Sequence, residues 1–294
     1  MLPYRERGET VRREPVVDAH QHFWDPAVVT YPWLTAEYAA VRRRFGPEDL
    51  APQLAQHGVD RTVLVQTLSS LAETRELLRV AARAGFVAGV VGWVDLADPG
   101  VESVLREVRA APEGRWLVGI RHQAHDEPDP GWLVREDVRR GLRALGDAGL
   151  AFDFLVRTRE LPAAWRVAHE LPEMRFVIDH IAKPPIRTGD HHSWAEAMAP
   201  FSDLRNVSCK LSGMITEADW HAWRPDDLIP YVRRVVGWFG EDRLMFGSDW
   251  PVCLVAGSYG QVLDTAAATL ADLSAKARSK IFGRNAMEFY RLRC

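Results

Sequence analysis

His20-Gln21-His22 ends the first apolar run of the chain, and it is the first spacing that could do chemistry. A strand repeats every two residues, so the two imidazoles share a face and can meet one metal ion. The triplet alone is a weak signal, because ten histidines can produce it by chance or in a polar loop. Asp249 ends another run in Phe246-Gly247-Ser248-Asp249-Trp250-Pro251. A carboxylate beside two imidazoles ligates a metal through one oxygen or takes a proton from water, although Asp here also suits a turn cap. His180 closes Val177-Ile178-Asp179-His180 and supplies a third imidazole. His20, His22, His180 and Asp249 are the candidate metal ligands, although a His after an apolar run is more often a satisfied structural residue. Arg121 and His122 end a further run, and Lys210 lies in Ser208-Cys209-Lys210-Leu211. Such cations and donors would orient a substrate with a carbonyl and several hydroxyls, or else form ion pairs at a rim. Ser248 lacks the G-x-S-x-G setting of a nucleophile elbow.

These residues need elements that aim them at one point. Short apolar, β-branched runs occur at 16–23, 61–67, 87–94, 117–123, 151–156, 175–181, 206–213 and 244–251. Most are separated by segments of helical period, the pattern of a parallel sheet covered on both faces. Eight such units predict a slightly distorted (β/α)8 barrel, a TIM barrel, in one domain over 16–294 after an extension at 1–15. Barrel enzymes assemble their sites at the carboxyl ends of the strands, where all the candidates fall. Ser70 to Glu73 reads as a capping box opening a helix that buries Leu77, Leu78 and Ala81 and ends at Gly85 as a left-handed cap. Segments 137–145, with Gly149 beyond, and 264–282 read as helices too. The aromatic segment 24–45 reads as a structured loop over the barrel mouth.

Composition bounds the partners. The 294 residues carry 37 Lys+Arg against 40 Asp+Glu, a formal charge of −3, which argues against nucleic acid. Cys209, Cys253 and Cys294 are an odd set without CxxC spacing, so reduced thiols and a cytoplasmic setting are expected. No run is apolar for long enough to span a membrane, and the charged segment 1–15 lacks the apolar core of a secretory signal. The count of 11 Trp is high and composition does not explain it.

The motifs resemble the amidohydrolase superfamily, in which strand one carries H-x-H and strand eight an Asp. The likeness is closer to its sugar-lactone hydrolase branch, similar to L-fuconolactonases and L-rhamnonolactonases. Asp18 to Trp24, Tyr31-Pro32-Trp33, Gly119 to Gln123, Cys209 to Gly213 with Thr216 to Trp220, and Phe246 to Cys253 carry it. Binuclear members have a bridging Lys on strand four and a His on strand five. Here those strands hold Arg121-His122 and Asp153-Phe154, so the resemblance implies one divalent ion, zinc by expectation, or none, and no binuclear site.

The resemblance implies hydrolysis of an aldono-1,4- or 1,5-lactone by activated water. Asp249 would be general base and then acid, with His180 its catalytic partner at the carbonyl. Arg121, His122 and Lys210 would bind substrate oxygens, and Trp24, Trp33 and Trp250 would offer flat faces to the sugar ring. The remaining Trp read as core, and His125, His191, His192 and His221 receive no role. Other chemistries of the same barrel are the alternatives: a decarboxylase, another ester or amide hydrolase, or a sugar-binding barrel without catalysis. The expected partner is a small sugar lactone, with no nucleic acid and no membrane, and oligomeric state is left open.

Overall fold

The structure, a computed structural model, describes residues 14–293. Apart from Glu14 and Pro15, the expected extension and its reading as a non-secretory segment lie outside the described residues, as does Cys294. The eight apolar runs are eight strands: β1 (Val17–Gln21), β2 (Arg61–Val65), β3 (Val87–Gly92), β4 (Leu117–His122), β5 (Ala151–Phe154), β6 (Phe176–Ile178), β7 (Val207–Leu211) and β8 (Leu244–Phe246). All pair in parallel and in chain order. The ring nearly closes where Gln21 bridges Trp250, with His22 N–H donating to Trp250 O at 2.7 Å and Asp249 N–H to His20 O at 2.8 Å. Gly247 permits this approach, since a Cβ there would stand 2.6 Å from the His20 Cβ.

Helices follow the strands in turn: α1 (Pro47–His57), α2 (Leu71–Arg83), α3 (Val101–Ala110), α4 (Glu136–Asp147), α5 (Leu161–Glu170), α6 (His192–Met198), α7 (Pro225–Phe239) and α8 (Tyr259–Thr269). Ser70 caps α2 as expected, its Oγ accepting from Glu73 N–H. The Glu73 carboxylate turns instead to the Thr67 and Leu68 amides, and the helix leaves at Ala84 without a left-handed glycine. The expected helix over 264–282 is interrupted: α8 ends at Thr269 and the chain resumes helix only at α9 (Ala275–Ser279). Cys209 and Cys253 are free and buried.

The barrel interior is layered. At the amino ends of the strands, Val17, Ala19, Val63, Val65, Val91, Ala151, Val177 and Met245 pack with Ala286 and Tyr290 from the last helix, α10 (Asn285–Tyr290). Branched side chains filling a barrel make it a core and not a pore. Above this apolar floor the interior turns polar. One irregularity aims the first two ligand candidates. β1 uses one more residue from Asp18 to Gln21 than β2 uses from Thr62 to Leu64. This bulge lets Ala19 and His20 both face inward, with His22, while the Gln21 amide turns outward to Thr62 Oγ1 at 3.1 Å.

Candidate active site

Lys210 sits under the site with no exposed surface, its Nζ 2.6 Å from Asp153 Oδ2 and 2.9 Å from Asp179 Oδ1. Arg121 Nη1 reaches Asp179 Oδ2 at 3.0 Å, and Tyr290 OH donates to Asp153 Oδ2 at 2.6 Å. Buried charges persist only when paired and hydrogen-bonded, and here each carboxylate has a cation. Burial pushes the Asp179 carboxyl up, but Lys210, His20 and Arg121 outweigh it and hold it well below the usual range. Burial raises the Asp153 carboxyl, against the pull of Lys210. The layer fixes His20 from beneath: its Nδ1 lies 3.3 Å from Asp179 Oδ1 and 3.1 Å from Lys210 Nζ.

Above it three imidazoles converge on one carboxylate oxygen. Asp249 Oδ1 is 3.2 Å from His22 Nε2 and 3.9 Å from both His20 Nε2 and His180 Nε2. His22 Nδ1 lies 2.7 Å from Val65 O, and a carbonyl only accepts, so Nδ1 carries the proton. Burial lowers the pKa of His20, His22 and His180 and favours neutral rings. His180 Nδ1 meets Ser212 Oγ at 2.9 Å. Asp249 holds a left-handed φ of 56°, and His180 opens a run of four left-handed residues, with φ of 53°, 47°, 61° and 49° through Lys183. Such backbone costs about 1–2 kcal/mol per residue outside glycine. Trp194 Nε1–H pins the turn through Ile181 O at 2.8 Å, and Lys183 Nζ holds Glu217 at 2.9 Å.

The donor set suits a metal ion. With Nδ1 protonated, His22 presents a lone pair at Nε2 to a second acceptor, Asp249 Oδ1, with no proton of its own to share. A tetrahedral zinc with bonds of about 2.0–2.1 Å holds its ligand atoms about 3.3 Å apart. The separations here are 3.1 Å between His20 Nε2 and His22 Nε2 and 3.2 Å from His22 Nε2 to Asp249 Oδ1. His20, His22 and Asp249 thus form one candidate group, and His20, Asp179 and His180 a second. The second has Lys210 and Arg121 already on its carboxylate.

A cavity of about 180 Å³ opens above these groups, lined by His22, His180, Asp249, Arg121 and Trp33 among the expected residues. Four expected substrate contacts lie elsewhere. His122 follows Arg121, and a period of two cannot face both inward. It stacks on Trp132 with ring centroids 3.9 Å apart and accepts at Nδ1 from Trp93 Nε1–H. Lys210 is spent on the ion pairs beneath His20. Trp24 and Trp250 are buried against Phe45 in the core, Trp24 donating to Val41 O. The loop 24–45 does cover the mouth, contributing Trp33 and Tyr38 to the lining. Thr67, Gln123, His125, Asp126, Arg157 and Lys183 also line it and were given no role by the sequence reading. Each follows a strand by a few residues, the position from which barrel loops build sites. Burial, with Lys183 and Arg157 nearby, pushes His125 down to about 3.

An amidohydrolase family model matches residues 17–292. The chain is 44% identical over 286 residues to an L-fucono-1,5-lactonase of Burkholderia ambifaria, covering 94% of this chain and 95% of that one. It is 34% identical to an L-fucono-1,5-lactonase of Burkholderia multivorans, covering 94% and 96%. A crystal structure of an amidohydrolase from Burkholderia multivorans with bound zinc superposes with a TM-score of 0.88 at 35% identity, over 95% of this chain and 100% of that one. A barrel in chain order, with H-x-H on β1 and Asp249 after β8, together with a family match over nearly its whole length, makes this chain a member of the amidohydrolase family.

Proposed function

We propose that this chain opens a sugar lactone, an aldono-1,5-lactone such as that of L-fuconate, to the free acid by attack of water. One observation carries the reaction: Asp249 Oδ1 stands at the cavity floor with three imidazole nitrogens within 3.9 Å. The substrate class rests on the likeness to the two L-fucono-1,5-lactonases.

A lactone carbonyl is already electrophilic, so the site has to supply a base, a donor to the developing oxyanion and a proton for the leaving oxygen. Asp249 takes the proton of water as its oxygen bonds the carbonyl carbon, then returns that proton to the ring oxygen as the C–O bond breaks. Without that return an alkoxide would have to leave unprotonated. Ser212 Oγ, 2.9 Å from Nδ1, can donate to it, in which tautomer neutral His180 carries its proton on Nε2 and donates it as a hydrogen bond to the carbonyl oxygen. Burial disfavours the charged ring, so His180 acts as a neutral donor. Trp33, Tyr38, Leu155 and Val252 offer apolar surface to the C–H faces of the ring, and Thr67 and Gln123 supply hydroxyl partners. His20, His22 and Asp249 would hold a divalent ion, which would act as a Lewis acid on the carbonyl when bound.

A pH-indicator screen of 1,4- and 1,5-aldonolactones, run with and without chelator, tests the reading. Acid release from L-fucono-1,5-lactone well above the rate without enzyme is the expected result. A panel in which no lactone opens faster than it does unaided sinks it.

A further inference from the structure

Both ring nitrogens of His20 face a fixed cation. Lys210 Nζ lies 3.1 Å from Nδ1, and Arg121 Nη1 lies 3.2 Å from Nε2. Arg121 is held there from two further sides, by Asp179 Oδ2 at 3.0 Å and by Gln66 O, and it is 3% exposed. Nε2 is the nitrogen that completes the His20, His22 and Asp249 group.

We infer that Arg121 and a divalent metal ion are alternative partners of His20, so an arginine inside the site sets how tightly this chain holds zinc. The inference rests on the metal-ligating role given to this triad in the proposed function. An imidazole nitrogen has one lone pair in the ring plane, and it serves either a guanidinium N–H or a metal bond. A metal on Nε2 also meets the Arg121 charge a few ångströms away, a repulsion that burial leaves unscreened. His22 is under no such contest. Its Nδ1 proton is tied to Val65 O, which leaves Nε2 aimed at Asp249. The two histidines of H-x-H are therefore unequal: His22 is a committed ligand and His20 a contested one. The guanidinium, lining the same cavity, keeps a positive charge at the site whether or not His20 binds metal. If Arg121 leaves, Asp179 retains Lys210 at 2.9 Å, so its buried charge stays paired.

The test is a double-mutant cycle read as zinc affinity, by competition with a chromophoric chelator on metal-stripped protein. Arg121→Met is expected to bind zinc about 10–100-fold more tightly than the wild type, the range by which partners of metal ligands tune affinity. His20→Ala should cost little in the wild type and should abolish the gain in the Arg121→Met background. Should Arg121→Met lose its cooperative melt, Arg121→Lys, whose shorter chain withdraws from Nε2, is read in the same way and should show a smaller gain of the same sign. Equal zinc affinity with and without Arg121, an equal cost of His20→Ala in both backgrounds, or no zinc binding by any of these proteins would overturn the inference. Zinc affinity does not depend on turnover. A protein that shows the cycle but opens no lactone overturns the proposed function alone, and an active lactonase with a flat cycle overturns this inference alone.

Discussion

One backbone carbonyl decides what His22 can do. Val65 O takes the Nδ1 proton, and the lone pair left at Nε2 then faces Asp249, the residue on which the proposed chemistry turns. Asp249→Asn keeps the shape and removes the base. Its amide can donate to His22 Nε2, so the melting temperature should not fall. The lactonase kcat should drop about 10²–10⁴-fold, the usual worth of a positioned base. Activity near wild type in a stopped-flow pH assay would remove Asp249 from that role. The carboxylate and its three histidines were readable from sequence because each ends an apolar run. Arg121 and His122 were also separable in principle, since adjacent strand residues cannot share a face. Nothing in the sequence gives depth, and so Lys210 read either as a substrate donor or as part of an ion pair at the rim, when its ion pairs are buried beneath His20. The aromatic count misled in the same way: Trp24 and Trp250 flank the motifs in sequence yet pack into the core.

At the scale of elements, the strands were legible and the irregularities that aim them were not. Alternating strand and helix patterns fix a parallel barrel, and β-branched runs fix where its strands lie. The bulge on β1 depends on pairing with β2, which local sequence does not record. The same holds for the left-handed turn after β6, where ordinary residues take φ values that glycine usually takes. Its cost is met by tertiary contacts, from Trp194 on α6 and from Glu217 after β7. Gly213, just past β7, is part of that device. Its φ is 59°, and a Cβ there would stand 2.5 Å from His180 Nδ1. Gly213→Ala should therefore destabilise the protein by about 1–3 kcal/mol and push the His180 ring off its line. The expected kinetic signature is a large loss in kcat with a much smaller change in KM, because the ring acts on the carbonyl more than on the bound sugar. An alanine variant with wild-type kcat would show that His180 needs no such seat.

Across the whole molecule, the site makes folding sensitive to acid. His125 lines the cavity, and burial, then Lys183, Arg157 and Arg121, hold its pKa down to about 3, with Glu217 pulling the other way. A histidine whose folded pKa lies below its unfolded value of about 6.5 binds fewer protons when folded between those two pH values. Its contribution to stability is present above pH 6.5 and is lost as pH falls through that window. Burial gives Asp18 the opposite sense, raising its pKa to about 6, so its contribution is present at low pH and lost on going from 3.8 up to 6. Asp153, also raised to about 6 by burial, acts in the same sense as Asp18, so the His125 contribution is isolated by comparing variants. His125→Gln removes the titrating ring and leaves a neutral polar side chain of similar reach. The melting temperature of this variant should fall less steeply than that of the wild type from pH 6.5 towards pH 4, with the two proteins closest in behaviour above pH 7. Parallel curves across that range in differential scanning fluorimetry would mean that the cavity opens to water before His125 titrates.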